Sequence, residues 1–226
     1  MEPVSFFGGI FEPIENLFKF VLGGLYSLTE TFGFGNYGLA IIILTVIIKV
    51  LLYPLTQKQL KSMKAMQELQ PKLKKIQEKY KDNPQMLQQK MTQLYQNAGV
   101  NPLAGCLPLL IQMPILMAMY YALFSFDYGE TVPSFLWIEN LSHPDPFYIL
   151  PLLSALTTFL QQKISMTEPT QQTRIFMVVM PLFIGFISLN FPAGLVLYWV
   201  TMNVVQIVQQ WWISKKDKQS VEEASK

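Results

Sequence analysis

The run Ala40-Ile-Ile-Ile-Leu-Thr45-Val-Ile-Ile-Lys49-Val-Leu-Leu52 decides the class of this protein. Apart from Thr45 and Lys49 every residue in it is apolar, and it sits in a longer apolar stretch, 37–55. A helix needs about 20 such residues to cross a hydrocarbon core. Four further stretches, 103–126, 147–164, 175–191 and 193–213, are of comparable character. The third and fourth of the five are short and would stand nearly upright or thin the bilayer locally. The composition agrees: of 226 residues 51% are hydrophobic and 14% charged, with mean hydropathy +0.28. A soluble domain carries nearer a quarter charged residues. The reading is an all-α polytopic membrane protein with five transmembrane helices.

Charge sets the orientation. Residues 58–98 carry nine lysines against Glu68, Glu78 and Asp82, a balance of +6. Residues 126–146 hold Asp127, Glu130, Glu139 and Asp145 with no Lys or Arg, a balance of −4. The first 36 residues stand at −3, because Lys19 faces Glu2, Glu12, Glu15 and Glu30. The loop holding Lys163, Glu168 and Arg174 is +1, and so is the tail after Ser214. Lysine and arginine mark the cytoplasmic side, which puts the N-terminus out and the C-terminus in. The expected segments are 1–36 outside, a first span at 37–57, a cytoplasmic hairpin at 58–98 and a second span at 99–126. An outer loop at 127–146 and a third span at 147–165 follow. Then come a cytoplasmic loop at 166–174, spans at 175–191 and 193–213, and a cytoplasmic tail at 214–226. Trp211, Trp212, Lys215 and Lys216 form a cytoplasmic interfacial anchor.

Two segments lie outside the bilayer core. Ile14, Leu17, Phe18, Val21, Leu22, Leu25 and Leu28 recur at helical spacing, which suits an amphipathic helix in the outer interface. Met1-Glu2-Pro3 offers no positive n-region and no small-residue cleavage site follows, so this helix is preferred over a signal peptide. In the basic segment, Leu69, Leu73, Ile76 and Tyr80 step by 4, 3 and 4, and Leu87, Met91, Leu94 and Ala98 do the same after Asp82-Asn83-Pro84. Matching seams about a short turn predict an antiparallel helical hairpin. Its lysines read as a solvated face near an anionic membrane rather than a nucleic-acid site, since no aromatics are interleaved for base stacking.

Lys49 lies about eight residues before the expected cytoplasmic end near Gln57, or about 12 Å deep. A charge at mid-membrane costs about 2.5–3.5 kcal/mol on insertion scales. It either snorkels to the cytoplasm or faces a wet cavity. Thr45, Lys49 and Thr56 share one face of the first span. Ser154, Thr158 and Gln162 form a stripe on the third, with Thr157 and Gln161 beside it, and Trp199, Asn203, Gln206 and Gln210 form one on the fifth. Any one stripe is explained by interhelical hydrogen bonding. Together they fall in the cytoplasmic halves of their helices, while 39–44, 149–153 and 193–198 are almost wholly apolar. A pore needs polar lining throughout, and a proton relay needs an intramembrane Asp, Glu or His. The pattern instead describes a cationic half-channel, open to the cytoplasm and closed beyond.

Nothing in the chain assembles a catalytic constellation, and it reads as a non-enzyme without cofactor or metal. His143, the one histidine, lies in the outer loop; Cys106, the one cysteine, is a small packing residue. No G-x-S-x-G elbow occurs. Met113, Met117, Met119, Phe124, Phe176, Met177, Met180 and Phe183 line the second and fourth spans, and methionine suits a surface that accepts many different helices.

From about Phe11 to Trp212 the chain resembles the YidC/Oxa/Alb membrane protein insertases. The likeness rests on Tyr53-Pro54-Leu55-Thr56, Leu69-Gln70-Pro71-Lys72 and Asn101-Pro102-Leu103-Ala104-Gly105-Cys106. It continues in Leu107-Pro108-Leu109-Leu110-Ile111-Gln112-Met113-Pro114, Ile149-Leu150-Pro151 and Phe191-Pro192-Ala193-Gly194-Leu195-Val196-Leu197-Tyr198-Trp199. The resemblance implies a five-helix core in the bacterial cytoplasmic membrane that inserts nascent membrane proteins without a nucleotide. Ribosomes and the Sec translocon would be its partners, and DNA would not. It also implies that Lys49 stands where bacterial members usually carry a groove arginine, that Thr45 and the Tyr198-Trp199 pair fall at positions linked to substrate contact, and that Gln162 is a polar groove position. No counterpart of the large extracytoplasmic domain of Gram-negative members is expected, so on this resemblance the chain looks like the minimal, Gram-positive type. Lys for Arg keeps the point charge and loses the planar fork, which suits electrostatic attraction better than bidentate pairing. The expected substrate groove is therefore Lys49, Thr45, Gln161, Gln162, Tyr198, Trp199, Asn203 and Gln206. The competing readings are a small anion transporter or channel and a non-catalytic assembly subunit.

Overall fold

The structure, a computed structural model, describes residues 5–101, 107–128, 132–165 and 171–224. Met1-Glu2-Pro3, the Pro102 to Cys106 part of the Asn101 motif, Glu130 and Glu168 lie outside the described residues, as do the side chains of Phe11 and Lys216. The described chain is all-helical: α1 (Ser5–Thr31), α2 (Tyr37–Leu51), α3 (Tyr53–Lys79), α4 (Pro84–Ala98), α5 (Leu107–Phe124), α6 (Ile149–Ser165), α7 (Gln171–Ser188) and α8 (Ala193–Ala224).

Local chemistry sets the ends. Asn36 caps α2, its side chain accepting from Leu39 N at 3.1 Å. Asn83 caps α4 in the same way through Met86 N, with Pro84 at the first helical position and Gly99 ending the helix at φ 64°. Pro54 is decisive. It brings no N–H and crowds the carbonyl four residues back, so α2 stops at Leu51 and α3 leaves at 63° to it. The helix expected to run on to residue 57 is therefore broken at Leu52, and the hairpin's first helix begins five residues before the expected 58.

No single helix among the described residues is long and apolar enough to cross a membrane by length and composition; the bent pair α2–α3 passes the test together. Two physical reasons account for this. Helices α2, α5, α6 and α7 have only 15 to 18 residues, about 22–27 Å of rise. Helix α8 is long, but Asn203, Gln206, Gln209 and Gln210 dilute its apolar content.

The core gathers at one end. Ile41, Leu44, Met119, Ile138, Leu141 and Tyr198 are almost fully buried in a single cluster with Phe18 and Leu22 of α1. Helix α1 packs on α5 and α2, while α6 packs on both α7 and α8. The connection before α6 is part of this core. Leu141 and His143 carbonyls accept from Gly194 N at 2.9 Å and Ala193 N at 2.8 Å, covering the start of α8. Asp145, 2% exposed, accepts from Leu150 N at 2.7 Å and from Phe147 N and Trp137 Nε1 at 3.1 Å each, anchoring the start of α6. Leu17, Phe20 and Leu28 of α1 stay exposed on the face away from the bundle.

Candidate functional site

Beyond that core, helices α2, α3, α5, α6, α7 and α8 enclose a cavity of about 1270 Å³. Along α2 the core comes first and the cavity second, since Ile41 and Leu44 precede Lys49; along α8 the core residues Leu195, Val196 and Met202 give the cavity an apolar wall, and Trp199, Asn203 and Gln206 give it a polar one. Of the eight residues expected from sequence, Lys49, Gln161, Gln162, Trp199, Asn203 and Gln206 line the cavity together.

Lys49 occupies the last turn of α2, two residues before its end. The bend at Leu52 puts it there, close to a helix end and not midway along a straight helix. A cation is favoured at a helix C-terminus, where carbonyls are left unpaired. Its Nζ donates to Gln206 Oε1 at 2.8 Å, and Gln209 Nε2 donates to the Lys49 carbonyl at 3.0 Å. No carboxylate is among the residues lining the cavity. The ammonium is thus solvated by an amide and not neutralised.

The polar stripes on α6 and α8 divide into two uses. Trp199 Nε1 donates to Thr158 Oγ1 at 3.0 Å, and Asn203 Nδ2 donates to Thr158 and Thr157 at 3.0 and 3.2 Å. Ser165 donates to Gln210 Oε1 at 3.0 Å and accepts from Gln161 Nε2 at 3.1 Å. Apart from the Gln161–Ser165 bond, which lies within α6, these bonds join α6 to α8. A guest would meet Lys49 and the Gln162 carbonyl, whose Oε1 is buried without a partner.

Thr45 and Tyr198 are placed elsewhere. Thr45, 1% exposed, donates to the Ile41 carbonyl at 2.6 Å within its own helix. Tyr198, also 1% exposed, accepts from Gln112 Nε2 at 3.0 Å. Both sit in the core and not on the cavity wall. Sequence reasoning passed over Gln59, Gln112 and Ser165, which do line it. Gln112 carried a legible signal, being a lone amide in the apolar run 107–119. Gln59 had none once the first span was taken to end at 57.

The remaining wall is apolar. Met113 and Met117 of α5 face Phe176, Met180 and Phe183 of α7 across it. Helices α5 and α7 do not pack face to face, so the cavity continues into the gap between them.

A family described as 60Kd inner membrane protein matches residues 28–220. A Fusobacterium nucleatum protein named membrane protein insertase YidC is 46% identical over 206 residues, covering 90% of this chain and 98% of that protein. A Geobacter sulfurreducens protein of the same name is 48% identical over 184 residues, 80% of this chain and 34% of its own length. One from Francisella philomiragia is 41% identical over 207 residues, 92% of this chain and 37% of that protein. The chain therefore spans about a third of the length of these last two relatives. The solved structure described as active YidC insertase with its first transmembrane domain resolved superposes with TM-score 0.68 at 29% identity, over 91% of this chain and 46% of that one.

Proposed function

The chain belongs to the 60Kd inner membrane protein family of the bacterial cytoplasmic membrane, and from that premise we propose that it is a membrane protein insertase. Helices α2, α5, α6, α7 and α8 are its five spans, with the N-terminus and the 127–146 loop outside and the α3–α4 hairpin and tail inside. Helix α1 lies in the outer interface. Lys49, Gln161, Gln162, Trp199, Asn203 and Gln206 form the client groove, with Thr45 and Tyr198 supporting it from the core.

The observation that carries this reading is the cavity's asymmetry. One un-neutralised ammonium stands in it, an apolar core ends it, and its side gives onto a gap walled by methionine and phenylalanine. A client's short, often acidic, outer tail is drawn to Lys49, and amides replace part of its water. Its hydrophobic segment meanwhile slides between α5 and α7 into lipid, driven by about 25 cal/mol per Å² of apolar surface removed from water. A membrane potential positive outside adds about 2.3 kcal/mol per negative charge per 100 mV. No bond is made or broken. The α3–α4 hairpin receives the chain beside the ribosome, and the protein works alone or with the Sec translocon.

Photo-crosslinkers at Trp199 and Phe183 test this against a ribosome-stalled, single-spanning client. Adducts are expected from both sites and none from a probe at Leu152, which is 71% exposed on the outer surface of α6. Adducts from Leu152 alone, or none, would defeat the reading.

A further inference from the structure

Helix α5 is held unevenly about Pro114. On its far side Ala118, Met119, Ala122 and Leu123 are buried in the core, at 0, 0, 1 and 4% exposure. On its near side nothing from 110 to 113 is buried, and Leu110 and Met113 stand 64 and 46% exposed. Proline removes the hydrogen bond to the carbonyl of Leu110, which makes this the place where the helix yields. The loose half forms one wall of the gap toward α7. What joins it to α8 is the side-chain hydrogen bond from Gln112 Nε2 to the buried Tyr198 hydroxyl, 3.0 Å long.

We propose that Gln112 is a positioning residue: acting through Tyr198, it holds the first half of α5 at a set distance from α7 and so fixes the width of the groove's lateral mouth. This deepens the insertase reading and rests on it for the mouth's purpose. The bond suits the task because it has a bounded strength. The small net strength of one neutral hydrogen bond holds the resting position yet yields to an apolar helix pressing in. A carboxylate there would grip too firmly and would compete for Lys49. Tyr198 thereby acts without touching a client, its hydroxyl serving as the fixed end of a tether and its ring as core.

Spin labels at Leu110→Cys, 64% exposed in the loose half, and Met180→Cys, with Cys106→Ser, report the mouth in full-length protein reconstituted into nanodiscs. The parent is expected to give one narrow distance. Gln112→Leu and Tyr198→Phe should each broaden it and lengthen its mean by about 2 Å, the throw of a 20° swing about Pro114 on the lever of about 6 Å that reaches Leu110. The double variant decides the matter, since removing both partners of a buried bond restores stability while leaving no tether. It should recover the parent's melting temperature and keep the broad distance. An unchanged distance in the single variants overturns the proposal, and so does a double variant in which distance and melting temperature recover together. The crosslinks from Trp199 and Phe183 are scored separately in the parent: their absence would sink the insertase reading and leave the distances standing.

Discussion

The ring of Phe135 fills the space that a side chain on Gly38 would need. A Cβ added at Gly38 would overlap the ring directly, and the phenylalanine cannot retreat because its backbone pairs with Ile138 in both directions, at 2.8 and 2.9 Å. The contact pins the connection between α5 and α6 to the first turn of α2, where Asn36 Nδ2 also donates to Ser134 O at 2.9 Å.

Gly38→Ala should therefore lower the melting temperature in detergent, through overpacking worth about 1–3 kcal/mol. Adding Phe135→Ala should restore part of the loss. If Gly38→Ala melts like the parent, the ring does not sit against this glycine.

Lys49 supports a second expectation. Lys49→Arg should insert an acidic-tailed client at near the parental rate, whereas Lys49→Gln should slow it roughly tenfold, as losing about 1.4 kcal/mol of attraction requires. Lys49→Glu should slow it further. A client with an uncharged tail should show little difference among the three. Equal rates for the acidic client across folded variants would remove the electrostatic role.

Asp145 makes three buried acceptor contacts at the start of α6. Asp145→Ala should cost about 3 kcal/mol, combining a lost helix cap with an orphaned indole N–H at Trp137. Asp145→Asn, which keeps one acceptor oxygen, should cost less. Thermal melts and the fluorescence of Trp137, red-shifting as the loop loosens, provide the check.

Glu15 gives the pH dependence. Burial alone would raise its carboxyl, but hydrogen bonds from Lys19 and Ser125 outweigh it and hold the group below the usual range. A carboxyl depressed in the folded state stabilises fully above its unfolded value, about 4.3, and that contribution is lost as pH falls through the folded value. The tether of α1 to the end of α5 should thus be constant from about pH 8 to pH 5 and loosen below about pH 4. Hydrogen exchange across α1 should show this in the parent and lose the dependence in Glu15→Gln.

The all-helical class was legible because apolar run length and helical periodicity are properties of segments, and they survive an error of a few residues. The bend at Leu52 was not weighed, although Pro54 announced it, because the apolar run continues through Leu55 and hides the break. Helical spacing gathered Lys49, Gln162, Asn203 and Gln206 correctly on faces, and these four do line one cavity. It could not separate Thr45 from Lys49. Four residues apart, they share a face but lie on opposite sides of the level where core gives way to cavity. Nor could spacing tell an amide that joins two helices, as in Gln210, from one left with a spare carbonyl, as in Gln162.

The backbone bonds from Ala193 and Gly194 to the loop carbonyls have a consequence for how the molecule tolerates change. They clamp the bundle at one end as the spring clamps a clothes-peg, and none of the four residues they join lines the cavity that forms the jaws. On the proposed insertase reading, the heat resistance supplied by this clamp is therefore drawn from residues other than those lining the groove. An engineer could strengthen the spring, by cross-linking that loop or filling its gaps, and obtain a hardier protein whose jaws still open.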